Sequence, residues 1–573
     1  MRSTHQTLFP KECSTTADKF CAIPGCVADP AGAEFRTLGW LRGASFKSAH
    51  PRIEILDMWR NFGSLIVLKG SRLRLRFTPG NDMISGKDAM NILSVTAEIF
   101  PLVKTGGLAD VAGSLPKALM AHGIHTRSLV PGYPSVMRAL TAALPVAQYD
   151  RLFGERATLV AGQTGGLDLL VLDAPGFFDR QGGPYADDHG NDYPDNWKRF
   201  AAFSFVAAQI AEHGVADWRP DIIHVHDWHP ALSLVYLKFS SRVEIPRVLT
   251  VHNLAFQGQF PAHRFTELGL PDEAYSVEGL EYYGDLGYLK GGLQAADAIT
   301  VVSPTYAREI MSPTFGMGLE GVMNARHDDV IGIVNGIDME VWNPCSDPYI
   351  ENHFSTRAPL RRLANRQKLL DRFGLSDTAG PVFAAVNRLT WQKGMDLLAG
   401  VVDEIVKGGG KLIVHGQGDA AIEDAFMEAA RRFPHSVSVE IGYDEPLAHQ
   451  IHAGADAMLV PSRFEPCGLT QLYALRYGCV PIVARTGGLS ETIIDANEAA
   501  LHAQVATGIQ FSPVDANELR LALRRAFRLF KRRRVWERLR RQGMRTDCSW
   551  HRSAAQYAEL YGRVLTPDIR LAG

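Results

Sequence analysis

The stretch Asn387-Arg388-Leu389-Thr390-Trp391-Gln392-Lys393-Gly394 places two cations where an apolar run ends and a helical pattern opens. A guanidinium, an ammonium and a helix N-terminus at one strand end form a site suited to a diphosphate. A solvated surface pair is the plainer reading, and position in the fold must decide between the two. A second stretch, Pro461-Ser462-Arg463-Phe464-Glu465-Pro466-Cys467-Gly468-Leu469, runs into Thr470. Glu465 stands between an aromatic residue and a proline at a strand-to-helix turn, where a carboxylate can accept hydrogen bonds from sugar hydroxyls or cap the helix. Cys467 has no adjacent base and reads as a small packing residue, not a nucleophile.

Two further turns carry a cation and two glycines each: Lys104-Thr105-Gly106-Gly107-Leu108 and Arg485-Thr486-Gly487-Gly488-Leu489. Glycine lets backbone approach a ligand, and the helix that follows offers unpaired N–H groups to an anion. Either loop could equally be a tight turn that needs glycine. His224-Val225-His226-Asp227-Trp228-His229 invites a zinc reading. Strand alternation puts His224 and His226 on one face and turns the later residues away, so no metal is expected. Asp227 and Trp228 are read as sugar contacts, and His252 and Asn253, in Thr250-Val251-His252-Asn253-Leu254, fall at another strand end.

Parallel strands must hold these ends together. From Met90 short apolar runs alternate with helical patterns: Ile92–Val95, Ser128–Val130, Leu169–Leu172, Ile222–Val225, Val248–Val251 and Ile299–Val302. The rhythm restarts after Asn335-Gly336-Ile337-Asp338, with Val382–Val386, Leu412–Val414, Val437–Ile441, Met458–Val460 and Val480–Val483. Continuous runs of this length suit strands buried on both faces, which predicts an α/β protein of two doubly wound, Rossmann-like domains facing a central cleft. Helical patterns cover 196–213, 230–239, 396–407 and 419–432, and Leu519, Leu523, Phe527 and Phe530 mark an amphipathic helix within 519–541 whose arginine-rich face is solvated.

The expected domains are residues 90–335 and 336–549, with 550–573 crossing back to the first. Residues 1–89 lack this rhythm and are expected to be disordered or outside the working protein, with Met90 a plausible later start. The chain has 573 residues, 46% hydrophobic and 21% charged, with a net charge of -2, so nothing in its balance points to nucleic acid or a membrane. Seven scattered cysteines without a CxxC pair suit reduced thiols in the cytoplasm.

In order and spacing these motifs, with Val302-Ser303-Pro304-Thr305-Tyr306, resemble the bacterial glycogen and plastid starch synthase family of retaining glucosyltransferases. The resemblance covers Met90 to the C-terminus. It implies the GT-B fold, ADP-glucose as donor, and transfer of glucose to the non-reducing 4-hydroxyl of glycogen or a malto-oligosaccharide, giving an α-1,4 linkage with retention and without a cofactor. It also implies roles. Lys104, Gly106 and Gly107 approach the donor phosphates and sugar; Arg388 and Lys393 hold the leaving diphosphate; Glu465 orients the glucose. Tyr443 stacks on adenine, and Asp227 and His252 line the sugar and acceptor side. Asn253, the turn Cys467, Gly468, Leu469 and Thr470, and Gly487 and Gly488 complete the donor-binding set. The chain departs from the family at Asn387, where Ser is common, at His415, where an apolar residue is usual, and at Cys548, where an aromatic is expected. Competing readings are another retaining transferase, a phosphorylase needing a lysine-bound pyridoxal phosphate, and a non-catalytic glucan-binding scaffold. The scaffold reading predicts a damaged phosphate site, yet Arg388, Lys393 and Glu465 are all present.

Overall fold

The computed structural model describes residues 89–566, so the expectation for residues 1–89 falls outside the described residues apart from Ala89. The described residues form one compact unit containing two lobes. The first is built on β1 (Met90–Val95), β2 (Ile124–Pro131), β3 (Thr141–Leu152), β4 (Glu155–Thr164), β5 (Leu167–Asp173), β6 (Ile222–His226) and β7 (Arg247–Val251). After a small sheet of β8 (Gln259–Phe260), β9 (Glu281–Tyr282) and β10 (Asp285–Gly287), the main sheet closes with β11 (Ala298–Val301) and β12 (Val330–Gly332). The order is β12-β11-β7-β6-β1-β2-β5-β4-β3.

From β12 to β5 every pairing is parallel. The last two strands are antiparallel, a departure from the uniform alternation expected. β3 lies largely exposed at the edge and so carries no buried apolar run to read. Its turn into β4, at Phe153-Gly154, and the turn into β5, at Gly165-Gly166, both use two successive residues with positive φ. Such turns match the twist of hairpin strands.

The second lobe holds β13 (Val382–Val386), β14 (Lys411–Gly416), β15 (Val437–Ile441), β16 (Ala457–Val460), β17 (Val480–Ala484) and β18 (Ile509–Phe511), all parallel. The order β15-β14-β13-β16-β17-β18 is that of a doubly wound dinucleotide fold, with its switch point between β13 and β16. Alternate residues feed opposite faces: Phe383 and Ala385 enter one core, Val382 and Ala384 the other. This is why the strands read as continuous apolar runs.

Two expected helices are each broken in two. The pattern over 396–407 becomes Met395–Ala399 and Val402–Lys407, interrupted at Gly400, a poor helix former. The pattern over 519–541 becomes Ala516–Lys531, capped by the Asp515 carboxylate, and Arg533–Arg545. Leu519, Leu523, Phe530, Trp536 and Leu539 are buried against the second lobe.

The lobes are joined by two segments running side by side. Ile337 N–H donates to the Cys548 carbonyl at 2.8 Å. A Cβ on Gly336 would come within 2.6 Å of the Ser549 carbonyl carbon, so only glycine permits this approach. The helix His551–Leu565 then packs Tyr557 and Tyr561 against Ile92, Leu115 and Ile222 of the first lobe.

Candidate active site

The switch point of the second lobe brings its two chemistry-bearing loops together. Gly394 has φ +64°, and a Cβ there would sit 2.0 Å from the Pro461 carbonyl oxygen. That close approach delivers Lys393 to Glu465: the ammonium lies 2.8 and 2.6 Å from the two carboxylate oxygens. Ser462 Oγ donates to the same carboxylate at 2.8 Å, and Glu465 is 5% exposed. Arg388 points outward at the end of β13, exposed, and no described carboxylate pairs with it. Gly416 and Gly418 back its loop, with virtual Cβ positions 1.9 Å from the Asn387 oxygen and 2.4 Å from the Leu389 oxygen. Arg463 is held away from this centre by a bidentate pair with Asp396 at 2.6 and 2.7 Å and lies over the Trp391 ring.

The first lobe contributes the ends of β1, β6 and β7. Asp227 occupies the left-handed region at φ +60°, which aspartate tolerates better than most residues. Its Oδ1 accepts from the backbone N–H groups of His252 at 2.6 Å and Asn253 at 3.4 Å, so it ties the end of β6 to the end of β7. Burial pushes the Asp227 carboxyl up to about 7. The Asn253 side chain accepts from Ala255 N–H at 3.1 Å and shapes the turn that follows. Gly106 is in extended backbone, and a Cβ there would meet nothing within 4 Å. The space in front of this loop is open.

The lobes meet around these loops. Lys104 Nζ lies 3.1 Å from Asp110 and 3.4 Å from Glu445, which opens the second-lobe helix Glu445–Gly454. Burial opposes the Lys104 charge, but the two carboxylates outweigh it and hold its pKa above the ordinary value. Burial raises Asp110 to about 6 despite the ammonium beside it. Tyr443 keeps an exposed ring, and its hydroxyl donates to Glu445. Its turn is held by His415, whose Nε2 accepts from Asp444 N–H at 3.1 Å while Nδ1 bonds the Glu440 carbonyl at 3.1 Å. The unusual histidine thus fastens the turn that carries Tyr443.

Several of the expected residues sit in closely packed surroundings. Trp228 is 8% exposed: its ring packs edge-on to Phe200 and stacks on His229, and Gly258 lies against it. Gly487 and Gly488 pack tightly against the Glu465 turn. Virtual Cβ atoms there would sit 1.9 Å from the Glu465 oxygen and 2.4 Å from the Cys467 oxygen, and Glu309 of the first lobe accepts from Gly487 N–H at 3.0 Å. These glycines seat the Glu465 turn and receive a carboxylate from across the lobes. Cys467 is buried beside this turn. It packs into the first-lobe core, and burial pushes its thiol up to about 12. Beside it Gly468 adopts φ +74°, Leu469 lies 3.6 Å from a virtual Cβ on Gly107, and Thr470 begins the helix Thr470–Arg476.

The histidines form a buried network. His252 Nε2 and His226 Nδ1 are 3.1 Å apart, His226 Nε2 lies 3.3 Å from Ser94 Oγ, and His224 bonds Thr250 and Tyr561 at 2.6 and 2.8 Å. Among the described residues, no group of three or more His, Cys, Asp or Glu is placed to hold a metal ion. Burial lowers the pKa of His224, His226, His229, His252 and His452, that of His226 to about 3. The unfolded chain therefore binds more protons than the folded one below the unfolded value near 6.5. Stability from these groups is present above that pH and is lost as pH falls towards the folded values, at roughly 1.4 kcal/mol per pH unit for each histidine. Denaturant melts between pH 7.5 and 5.5 should show a steep loss of stability; a flat profile would mean that the imidazoles are not held neutral.

Comparison with known proteins bears on the same elements. The family model described as starch synthase catalytic domain matches residues 91–325, and the one described as glycosyl transferases group 1 matches residues 367–542. Glycogen synthase 2 of Rhizobium meliloti (strain 1021) is 76% identical over 484 residues, covering 84% of this chain and 100% of that protein. The chain belongs to the glycogen and starch synthase family. Glycogen synthase 1 of the same organism is 57% identical over 477 residues, covering 83% of this chain and 99% of that protein. Among solved structures, the catalytic domain of starch synthase IV from Arabidopsis thaliana, bound to ADP and acarbose, is 30% identical with TM-score 0.75, covering 83% of this chain and 100% of that one. The chain is thus a glycosyltransferase with glycogen synthase activity on a GT-B fold.

In this synthase several residues of the site escaped sequence reasoning. Glu98, Glu309 and Glu445 are acidic residues in turns or on short helices, without a motif to mark them, and only the fold brings each to a glycine loop or a lysine. The two glycine loops also predict different outcomes on substitution. Gly487→Ala forces Cβ into backbone at φ +40° and should cost several kcal/mol, roughly as other overpacked or strained sites do. Gly106→Ala meets open space and should fold normally, yet raise the donor KM if this space receives the donor. Melting curves and donor titrations of both variants check this; a normal donor KM in Gly106→Ala would remove that loop from the donor site.

Proposed function

We propose that the cleft binds ADP-glucose and a glucan end, and transfers glucose to the non-reducing 4-hydroxyl with retention. The observation that carries this reading is the Lys393–Glu465 pair at the β13/β16 switch point, where a leaving-group cation and a sugar-orienting carboxylate are 2.8 and 2.6 Å apart. Ligands of open α/β sheets collect at such crevices. Arg388 is exposed and ready to meet a phosphate, while Lys104 stands at the lobe junction. The Tyr443 ring offers a flat face for a purine. The relative solved with ADP and acarbose supports a nucleotide and a glucan-like chain in the equivalent cleft.

As the glucose–phosphate bond breaks, negative charge grows on the diphosphate, and Arg388, Lys393 and Lys104 stabilise it. Glu465 accepts from hydroxyls of the transferred glucose. Attack comes from the face the diphosphate leaves, and a phosphate oxygen takes the proton of the acceptor hydroxyl. The roles of Asp227 and His252 lie on the acceptor side, with Asp227 acting by fixing the backbone that carries His252. We place the reaction in the cytoplasm: the described cysteines are free thiols, and no described helix is long and apolar enough to cross a membrane.

Initial rates with ADP-glucose and with UDP-glucose, on glycogen primer, test the donor. ADP-glucose should be preferred by at least ~10-fold, the effect of about 1.4 kcal/mol of extra purine stacking. Equal rates with the two donors would refute the assignment of Tyr443 as an adenine platform.

A further inference from the structure

Glu98 carries a task that neither the transfer chemistry nor the comparisons assign. It follows β1 by three residues and is 3% exposed. One carboxylate oxygen accepts from Thr105 N–H at 2.6 Å and Gly106 N–H at 3.3 Å. The other accepts from the Thr105 hydroxyl at 2.5 Å and the Tyr185 hydroxyl at 2.6 Å. No described cation lies within ion-pair distance, so its partners are neutral donors aimed at it from two separate loops.

Three of those bonds grip the Lys104–Gly107 loop. The fourth comes from a separate segment, the loop carrying Tyr185. Tyr185 stacks on His229 with ring centroids 4.4 Å apart, and His229 stacks in turn on Trp228, the neighbour of Asp227. Tyr185 is further anchored by its carbonyl, which accepts from the Asn196 side chain at 2.8 Å at the start of the helix Asn196–His213. A single carboxyl group thus connects the donor loop to the aromatic wall behind Asp227.

We propose that Glu98 is a positioning residue that registers the donor loop against this acceptor-side wall, so that the two sugars are held in one frame. The proposal rests on the synthase reading above. Two reactants held by one rigid support lose reactivity together when the support slackens, and a misplacement of about 1 Å costs roughly 10²-fold. Loss of Glu98 should therefore impair turnover and the use of both substrates, not donor binding alone.

A double-mutant cycle of Glu98→Ala and Tyr185→Phe tests this, read as kcat and as KM for ADP-glucose and for maltohexaose. Glu98→Ala should lower kcat by about 10²-fold and raise both KM values, and Tyr185→Phe should have a clear effect alone but under about twofold in the Glu98→Ala background. Glu98→Gln should recover most activity, because its oxygen still accepts from the loop N–H groups and its amide can donate to Tyr185 and Thr105. If Glu98→Ala fails to fold, the cycle is run with Thr105→Val, which removes the hydroxyl bond to Glu98 and leaves the carboxylate in place. Hydrogen exchange at Thr105 and Gly106 gives a second readout independent of turnover: both amides should be protected in the wild type and lose protection in Glu98→Ala. Independent, multiplying effects, a change in donor KM alone, or unaltered exchange would overturn the proposal. A wild type without synthase activity would refute the synthase reading instead, and the exchange result would still decide whether Glu98 holds the loop.

Discussion

Lys393→Ala is expected to lower turnover about 10²–10³-fold, roughly the 2.7–4 kcal/mol that removal of one transition-state donor costs in other enzymes. The additional charge on the diphosphate develops only as it departs, so the loss should appear in kcat more than in KM. The structure adds a second effect. Lys393 is the cation paired with Glu465, a carboxylate only 5% exposed, and its removal leaves Ser462 as the remaining side-chain partner. Stability should fall by about 1–3 kcal/mol, the usual cost of stranding a buried polar group. Arg388 separates the two effects. It is exposed and unpaired among the described residues, so Arg388→Ala should lose turnover while melting like the wild type. Steady-state kinetics and melting curves on the two variants give four numbers; near-normal turnover in both would sink the diphosphate assignment.

Asp227→Ala is the second large effect. It removes the acceptor for the His252 and Asn253 N–H groups and puts alanine at φ +60°. Two orphaned donors and a left-handed alanine should cost about 2–4 kcal/mol of stability, and the displaced end of β7 about 10²-fold in turnover. Asp227→Asn discriminates positioning from direct charge. Asparagine tolerates the same backbone region, and its amide oxygen can still accept from both N–H groups. It should therefore stay within about tenfold of the wild type. A loss in the asparagine variant as deep as in alanine would mean that the carboxylate itself contacts the reacting sugar.

Strand interiors were legible because both faces of the sheets are buried, so each parallel strand of four or more residues left a continuous apolar run. The edge strand β3 and the three-residue strands β12 and β18 left none, being exposed or too short, and β4 mixes buried with exposed positions. At the site, the residues at strand ends were readable from type and position, whereas what holds them was not. The tetrapeptide Thr-Gly-Gly-Leu shows why. At 105–108 it opens a helix beside empty space; at 164–167 it makes a hairpin turn; at 486–489 it seats the Glu465 loop. The same four residues serve three tasks, decided by what lies opposite them. Acidic partners such as Glu98, Glu309 and Glu445 act through contacts distant in sequence, which no local pattern records.

The most direct test of the whole account is transfer itself. Purified protein is incubated with ADP-glucose labelled in the sugar and with glycogen primer, and the polymer is then digested with an exo-acting hydrolase specific for α-1,4 linkages at non-reducing ends. The account predicts label in the polymer, ADP released in equal amount, and nearly all label recovered as maltose by that digestion. Release of free glucose without incorporation, or label that resists the hydrolase, would contradict it.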